Sequence, residues 1–354
     1  MRRRTAHRFM IAGAAAIALL CGGVANAVPP PSAFAPASRP GPALSVPQRD
    51  LDNALSCETN LATANREPVL LLPGTSTTPE TSFGWNFIPA FDALGVPYCA
   101  LTLPSDNNGD VQVNGEYVVN AVRTMHARSG QQVQIVGWSQ GGGPMPRWAL
   151  RWWPDIRPMV DGVIGIDPPN TGSAVGSLFG CEIVALVCPP AAWQQMPQSN
   201  FTAALNSDTM TFPEVNYTVI YNRLSNIVQP NLDGHASALP PGPNVTNIAL
   251  QDFCGGMASI LPDHAVALGS PATLALVLDT LAHPGTPGDP ARVNPATCGQ
   301  LGTPFVSAQT QIQAIGHIYA DAFTRTVPRD NVPAEPPLRC YVYTAAARPV
   351  GCAG

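Results

Sequence analysis

One turn constrains this chain more than any other stretch: Val133-Gln134-Ile135-Val136-Gly137-Trp138-Ser139-Gln140-Gly141. A β-favouring run ends in Gly-x-Ser-x-Gly, the pattern of a nucleophile elbow, in which a strand passes sharply into a helix. The serine then sits in strained backbone with its Oγ exposed. Gly137 and Gly141 keep side chains out of the two places where strand and helix press together. A helix-like stretch, Trp148 to Trp153, lies downstream. Ser139 is therefore read as a nucleophile. Such a turn needs a sheet beneath it.

The flanking segments supply that sheet. Pro68-Val69-Leu70-Leu71-Leu72-Pro73 is a short apolar run of the kind found in buried parallel strands, and it leads into the loop Gly74-Thr75-Ser76-Thr77-Thr78. Further strands are expected around Pro97–Leu103, Gly162–Ile166 and Val215–Tyr221. Helices are expected over Asn86–Leu94, Tyr117–Ala127, Ala272–Ala282 and Ala308–Phe323, with Thr171–Pro190 an insertion. The βαβα rhythm predicts a mostly parallel sheet wound with helices. His126, near the end of its helix, reads as a surface residue. No internal repeat is visible.

The ends bear on where such a protein works. Residues 1–27 carry Arg2, Arg3, Arg4 and Arg8, an apolar stretch from Met10 to Leu20, and Ala25-Asn26-Ala27, the layout of a secretory signal. The apolar stretch is short for a bilayer span. Cys21 follows Leu20, where lipidation wants a small residue, and the arginine cluster leaves twin-arginine export open. Residues 28–50, rich in Pro, Ala and Ser, read as an extended, poorly ordered lead-in, and residues 51–354 as one folded domain. Without residues 1–27 the chain has 14 arginines, no lysine and 23 acidic residues, a net charge of −9. That balance argues against nucleic acid and anionic membranes as partners. Eight cysteines remain beyond Cys21, an even number that suits four disulfides in an oxidising compartment. No Cys-x-x-Cys or His-Glu-x-x-His pattern points to a metal, and no cofactor is expected.

Several further stretches carry a resemblance. Leu71 to Thr78 with Ser82-Phe83, Val111 to Ala121, Trp138 to Gly142, Trp193-Gln194-Gln195, Ile227-Val228-Gln229-Pro230 and Asp263-His264-Ala265 occur in family order from about Cys57 to Cys352. The chain resembles the Candida antarctica lipase B-like family of α/β-hydrolases. The resemblance implies that fold and a secreted serine carboxylic-ester hydrolase acting on lipid esters, working at an oil–water interface as a monomer without stable membrane insertion. It implies His264 as base, an oxyanion site from the Thr75 and Gln140 amides and the Thr75 hydroxyl, and a substrate pocket bounded by Trp138, Gln195, Ile227 and Val228. It also implies the pairs Cys57–Cys99, Cys254–Cys298 and Cys340–Cys352. Cys181 and Cys188 have no counterpart there. They are expected to pair with each other in the segment that acts as a lid in this family.

Two departures qualify the match. Gly141-Gly142-Gly143-Pro144-Met145-Pro146 puts two prolines where a helix should begin, so a kinked or late-starting helix is expected. The family's acid lies four residues after a tyrosine and two before Ile-Val-Gln-Pro. Here that frame runs from Tyr221 to Pro230 and the position holds Ser225. A serine cannot stabilise an imidazolium as a carboxylate does. Asp263, Asp233 and Asn226 lie nearby. Asp167 ends the strand after the elbow, in Gly165-Ile166-Asp167-Pro168, similar to the Gly-Leu-Asp-Pro of pancreatic-type lipases, and keeps the order nucleophile, acid, base. Asp167 is the expected acid. A catalytically impaired fold that binds apolar ligands and an acyltransferase on the same scaffold stand as alternatives.

Overall fold

The structure, a computed structural model, describes residues 28–174, 181, 188–256, 261, 263–300, 302–326 and 331–352. The proposed signal, and residues 175–180 and 182–187 of the insertion Thr171–Pro190, lie outside the described residues. Seven strands form one sheet in the order β1-β3-β2-β4-β5-β6-β7. They are β1 (Leu55–Cys57), β2 (Val69–Leu72), β3 (Tyr98–Leu101), β4 (Val133–Trp138), β5 (Val160–Ile166), β6 (Asn216–Tyr221) and β7 (Val245–Ala249). All neighbours pair in parallel except β1 with β3. Five of these strands lie where the apolar runs predicted. β1 and β7 are additional: Leu-Ser-Cys is short, and Val-Thr-Asn-Ile-Ala is a half-exposed edge.

The sheet is buried on both faces because helices cover each. One core cluster holds Leu70, Ile135, Val163 and the helices Val111–Ser129 and Pro144–Trp152; the other holds Leu71, Val136, Ile164 and the helix Pro271–Ala282. Alternate residues of one strand thus feed opposite cores, as the period of two requires. Asn86, expected as the first residue of a helix, is its N-cap, accepting the amide of Phe87. The four cysteine pairs are Cys57–Cys99, Cys181–Cys188, Cys254–Cys298 and Cys340–Cys352. The first joins directly opposed residues of β1 and β3.

The late helix start is observed. Ser139–Gly142 forms a 3₁₀ turn, Gly143 breaks it at φ −147°, ψ −81°, and the α-helix runs from Pro144 to Trp152. Both prolines fall in its first turn, where backbone N–H groups have no helical partner to lose.

The lead-in is a correction. Residues 28–50 are not a loose tail: Phe34, Ala35 and Ala37 are buried, and Phe34 bridges to Tyr343. The segment caps groups that would otherwise be stranded. Arg157 Nη2 donates to the Ala37 carbonyl at 2.6 Å, Trp153 Nε1 to that of Pro42 at 2.9 Å, and Glu116 accepts from Ser45 and Val46. Its composition suggested disorder because proline and alanine bury little apolar area. Its order comes from supplying carbonyls to buried cations. Among the described residues no helix is long and apolar enough to cross a membrane, and no cluster of three or more His, Cys, Asp or Glu groups could hold a metal.

Candidate active site

Parallel strands deliver their C-terminal ends to one edge, and the expected site residues collect there. Ser139 follows β4 with φ +56°, a conformation that strains any residue but glycine. The turn closes because a Cβ on Gly137 would overlap the Gly141 carbonyl, and one on Gly141 the carbonyls of Leu72 and Pro73. The loop after β2 packs directly on this turn: a Cβ on Gly74 would meet the Trp138 ring at 2.8 Å and Ser139 Cβ at 3.3 Å.

Asp167 follows β5 with φ +46° and is fully buried. Its Oδ2 lies 2.6 Å from His264 Nδ1, and its Oδ1 accepts the Asn222 amide at 2.9 Å. His264 begins the helix His264–Gly269 and is 4 % exposed. Its ring lies 4.7 Å from that of Trp138, the residue before Ser139, and its Nε2 is buried with no hydrogen-bond partner. A carboxylate on Nδ1 fixes the tautomer that leaves Nε2 as a base.

The other candidate acids are engaged elsewhere. Asp263 Oδ1 caps the helix by accepting the Val266 amide, and its Oδ2 accepts the Tyr319 hydroxyl at 2.8 Å. Asp233 accepts the His235 amide in an exposed turn. Asn226 Oδ1 accepts the His264 backbone amide at 2.8 Å, so it holds the chain of the histidine rather than its ring. Ser225 Oγ accepts the Val228 amide at 3.1 Å and closes a local turn.

Thr75, Gln140 and Gln195 meet in one polar cluster. Thr75 Oγ1 donates to Gln140 Oε1 at 3.0 Å, and Gln195 Nε2 donates to both, at 2.9 and 2.8 Å. The Thr75 hydroxyl proton is thus directed at Gln140 in this structure. Ile227 and Val228 join the same region through Ser173, whose Oγ donates to the Ile227 carbonyl and whose amide donates to that of Gln195. Asn107, not singled out in the sequence, ties the cluster together. Its Nδ2 donates to the Pro73 and Gly74 carbonyls at 2.9 and 3.2 Å, and its Oδ1 accepts from Gln140 Nε2 at 2.5 Å. No sequence motif marks it; it stands at φ +65° in a turn of three consecutive left-handed residues.

No family model matches the chain. Lipase B of Pseudozyma antarctica is 30 % identical over 314 residues, which are 88 % of this chain and 90 % of that protein. The chain belongs to the lipase B family. The crystal structure of Aspergillus fumigatus lipase B is similar with a TM-score of 0.76 at 29 % identity, over 88 % of this chain and 76 % of that one. The present lipase B homologue is therefore an α/β-hydrolase of the lipase and esterase kind. It keeps the Tyr221-to-Pro230 frame of the resemblance, yet places a buried carboxylate against its histidine from the neighbouring strand end.

Proposed function

We propose that this protein is a secreted serine carboxylic-ester hydrolase that cleaves acylglycerols or related lipid esters through an acyl-enzyme. The observation that carries the reading is the 2.6 Å bond from Asp167 to His264 Nδ1, in a buried setting that leaves Nε2 unpartnered beside the Trp138-Ser139 turn. In this reading Ser139 Oγ attacks the ester carbonyl while His264 Nε2 takes its proton, then passes it to the leaving alkoxide. Water repeats the sequence in reverse on the acyl-enzyme. Asp167 stabilises the imidazolium without itself taking the proton.

The developing oxyanion is assigned to the backbone N–H groups of Thr75 and Gln140, with the Thr75 hydroxyl turning to it from Gln140 Oε1. One such donor lowers a barrier by about 3 kcal/mol. Trp138 is assigned to the alcohol side of the pocket, and Gln195, Ile227 and Val228 to the acyl side. The names of the two relatives support a lipid ester, and the proposal has a monomer meeting it at an oil–water interface. Four cysteine pairs and the layout of residues 1–27 support export.

Hydrolysis of an ester chain-length series by wild type, Ser139→Ala and Asp167→Asn tests the assignment. Ser139→Ala should leave only background, and Asp167→Asn should lose on the order of 10³–10⁴ in kcat. A folded Asp167→Asn enzyme within tenfold of wild type removes Asp167 from the mechanism. A folded wild type that an active-site phosphonate does not label removes the enzyme reading and leaves the apolar-ligand binder.

A further inference from the structure

Asn222 follows β6 immediately and is fully buried between the ends that carry the acid and the base. Its backbone N–H donates to Asp167 Oδ1 at 2.9 Å, which leaves Oδ2 for His264. Its side-chain Nδ2 donates to the carbonyls of Leu261 at 2.8 Å and Asp263 at 3.2 Å, the stretch that leads into His264. The amide cannot flip at low cost, because its Oδ1 already accepts from the Leu224 amide at 3.0 Å and from Gln251 Nε2 at 2.6 Å. Gln251 is itself buried and locked, its Oε1 accepting the Arg223 amide at 3.0 Å.

We propose that Asn222 is a positioning residue that sets the distance and direction between Asp167 and His264, with Gln251 fixing its amide. The proposal rests on the roles of Asp167 and His264 put forward above. An asparagine suits this place for chemical reasons. Serine is too short to span two carbonyls. Aspartate offers no donor and adds a second carboxylate beside Asp167. Leucine matches the shape but takes one donor from each of two carbonyls and leaves the Leu224 and Gln251 N–H groups without their acceptor. The brace acts on both ends of one short bond, so loosening it changes the approach of a proton-transfer pair whose geometry must hold to a fraction of an ångström. Asn226 and Tyr319 brace the histidine from the other side, on its backbone amide and through Asp263. Asp263 and Tyr319 beside the histidine, and the Arg223–Asp252 ion pair beside Asn222 and Gln251, are titratable or charged groups of this region, and the substitutions below leave all of them in place.

The test is Asn222→Leu in the full chain, assayed on a short water-soluble ester, with active sites counted by phosphonate titration. The expected result is a fall in kcat of about 10- to 100-fold with KM within about twofold. The acid limb of the kcat/KM profile should also move to lower pH, because a loosened carboxylate stabilises the imidazolium less. Gln251→Leu keeps Asn222 but frees its amide, and should give a smaller change of the same kind, which covers the case in which Asn222→Leu does not fold. A folded Asn222→Leu, or in its absence a folded Gln251→Leu, with wild-type kcat and an unmoved profile overturns the proposal, whatever happens to the melting temperature. A wild type that the phosphonate fails to label overturns it together with the catalytic reading, so the two failures are told apart by the wild-type control.

Discussion

Asp167 and Glu67 are carboxylates at opposite ends of the strands of the same sheet, and their hydrogen-bond surroundings differ. Asp167 receives a backbone N–H and an imidazole. Glu67 receives one amide, Gln134 Nε2 at 2.8 Å, and shares that amide with Asp161. Burial first and the Asp161 charge second push the Glu67 carboxyl up from 4.5 to about 7. A folded-state value above the unfolded one means the native chain holds an extra proton between those values. Stability associated with that proton is present at low pH and is lost as pH rises from about 4.5 through about 7. Glu67→Gln should therefore raise the melting temperature at pH 8 and leave it nearly unchanged at pH 4.5. Equal shifts at both pH values would refute the coupling. At this scale the sequence made Ser139, His264 and Asp167 legible because each sits in a local pattern. Asn107, Asn222 and Gln251 were not legible: their partners come from segments far apart in the chain, and an asparagine beside a strand has no spacing that announces its bonds.

The elbow is where local sequence and tertiary packing agree most closely, and it yields a contrast between two small substitutions. Gly137→Ala places a methyl group inside the Gly141 carbonyl, and backbone cannot move aside there without opening the β4 turn. It should prevent folding or cost more than about 4 kcal/mol. Pro146, one of the two prolines from which a kinked or late start is expected, occupies the first turn of a helix that begins at Pro144. Pro146→Ala should change stability by less than about 1 kcal/mol, measured by denaturant titration. A larger loss would mean that the ring packs in a way the backbone geometry does not explain. The strand interiors were readable because apolar runs bounded by Pro and Gly leave few alternatives. The start of the helix Val111–Ser129 was not, since Val113 and Gly115 lower its local propensity. Gly115 is there for a neighbour: a Cβ would meet the Trp148 ring at 2.9 Å.

At the scale of the molecule, the N-terminal strap changes the account of what the fold requires. Arg147 and Arg151 are buried deeply enough that desolvation lowers both to about 10. Arg147, Arg151 and Arg157 lie on or just after the helix Pro144–Trp152, directly behind the elbow. Buried guanidinium groups need acceptors, and backbone carbonyls provide them at a lower desolvation cost than paired carboxylates would. The strap supplies Ala35 to Arg151 at 3.4 Å, Ala37 to Arg157 at 2.6 Å and Pro42 to the neighbouring Trp153. It is then pinned to the C-terminal segment, with the Ala35 amide on the Val342 carbonyl at 2.8 Å and Phe34 stacked on Tyr343. A proline-rich segment suits this task, because it loses less backbone entropy on docking than an ordinary chain. A protein starting at Pro47 would leave the Trp153 indole N–H and Glu116 without their partners, each at a cost of about 1–3 kcal/mol, and would take one acceptor each from Arg151 and Arg157, which keep Ser207 Oγ and the Leu150 and Arg151 carbonyls. Against a total stability of about 5–15 kcal/mol, the truncated chain should melt at least 10 °C lower or be recovered as aggregate. The named strap contacts lie behind the elbow rather than at the strand ends, so any folded fraction should still react with the active-site phosphonate at Ser139. A truncated protein that melts with the full chain would show that the strap is ornament to the fold. One that stays folded yet loses phosphonate labelling would show that it reaches the active site after all.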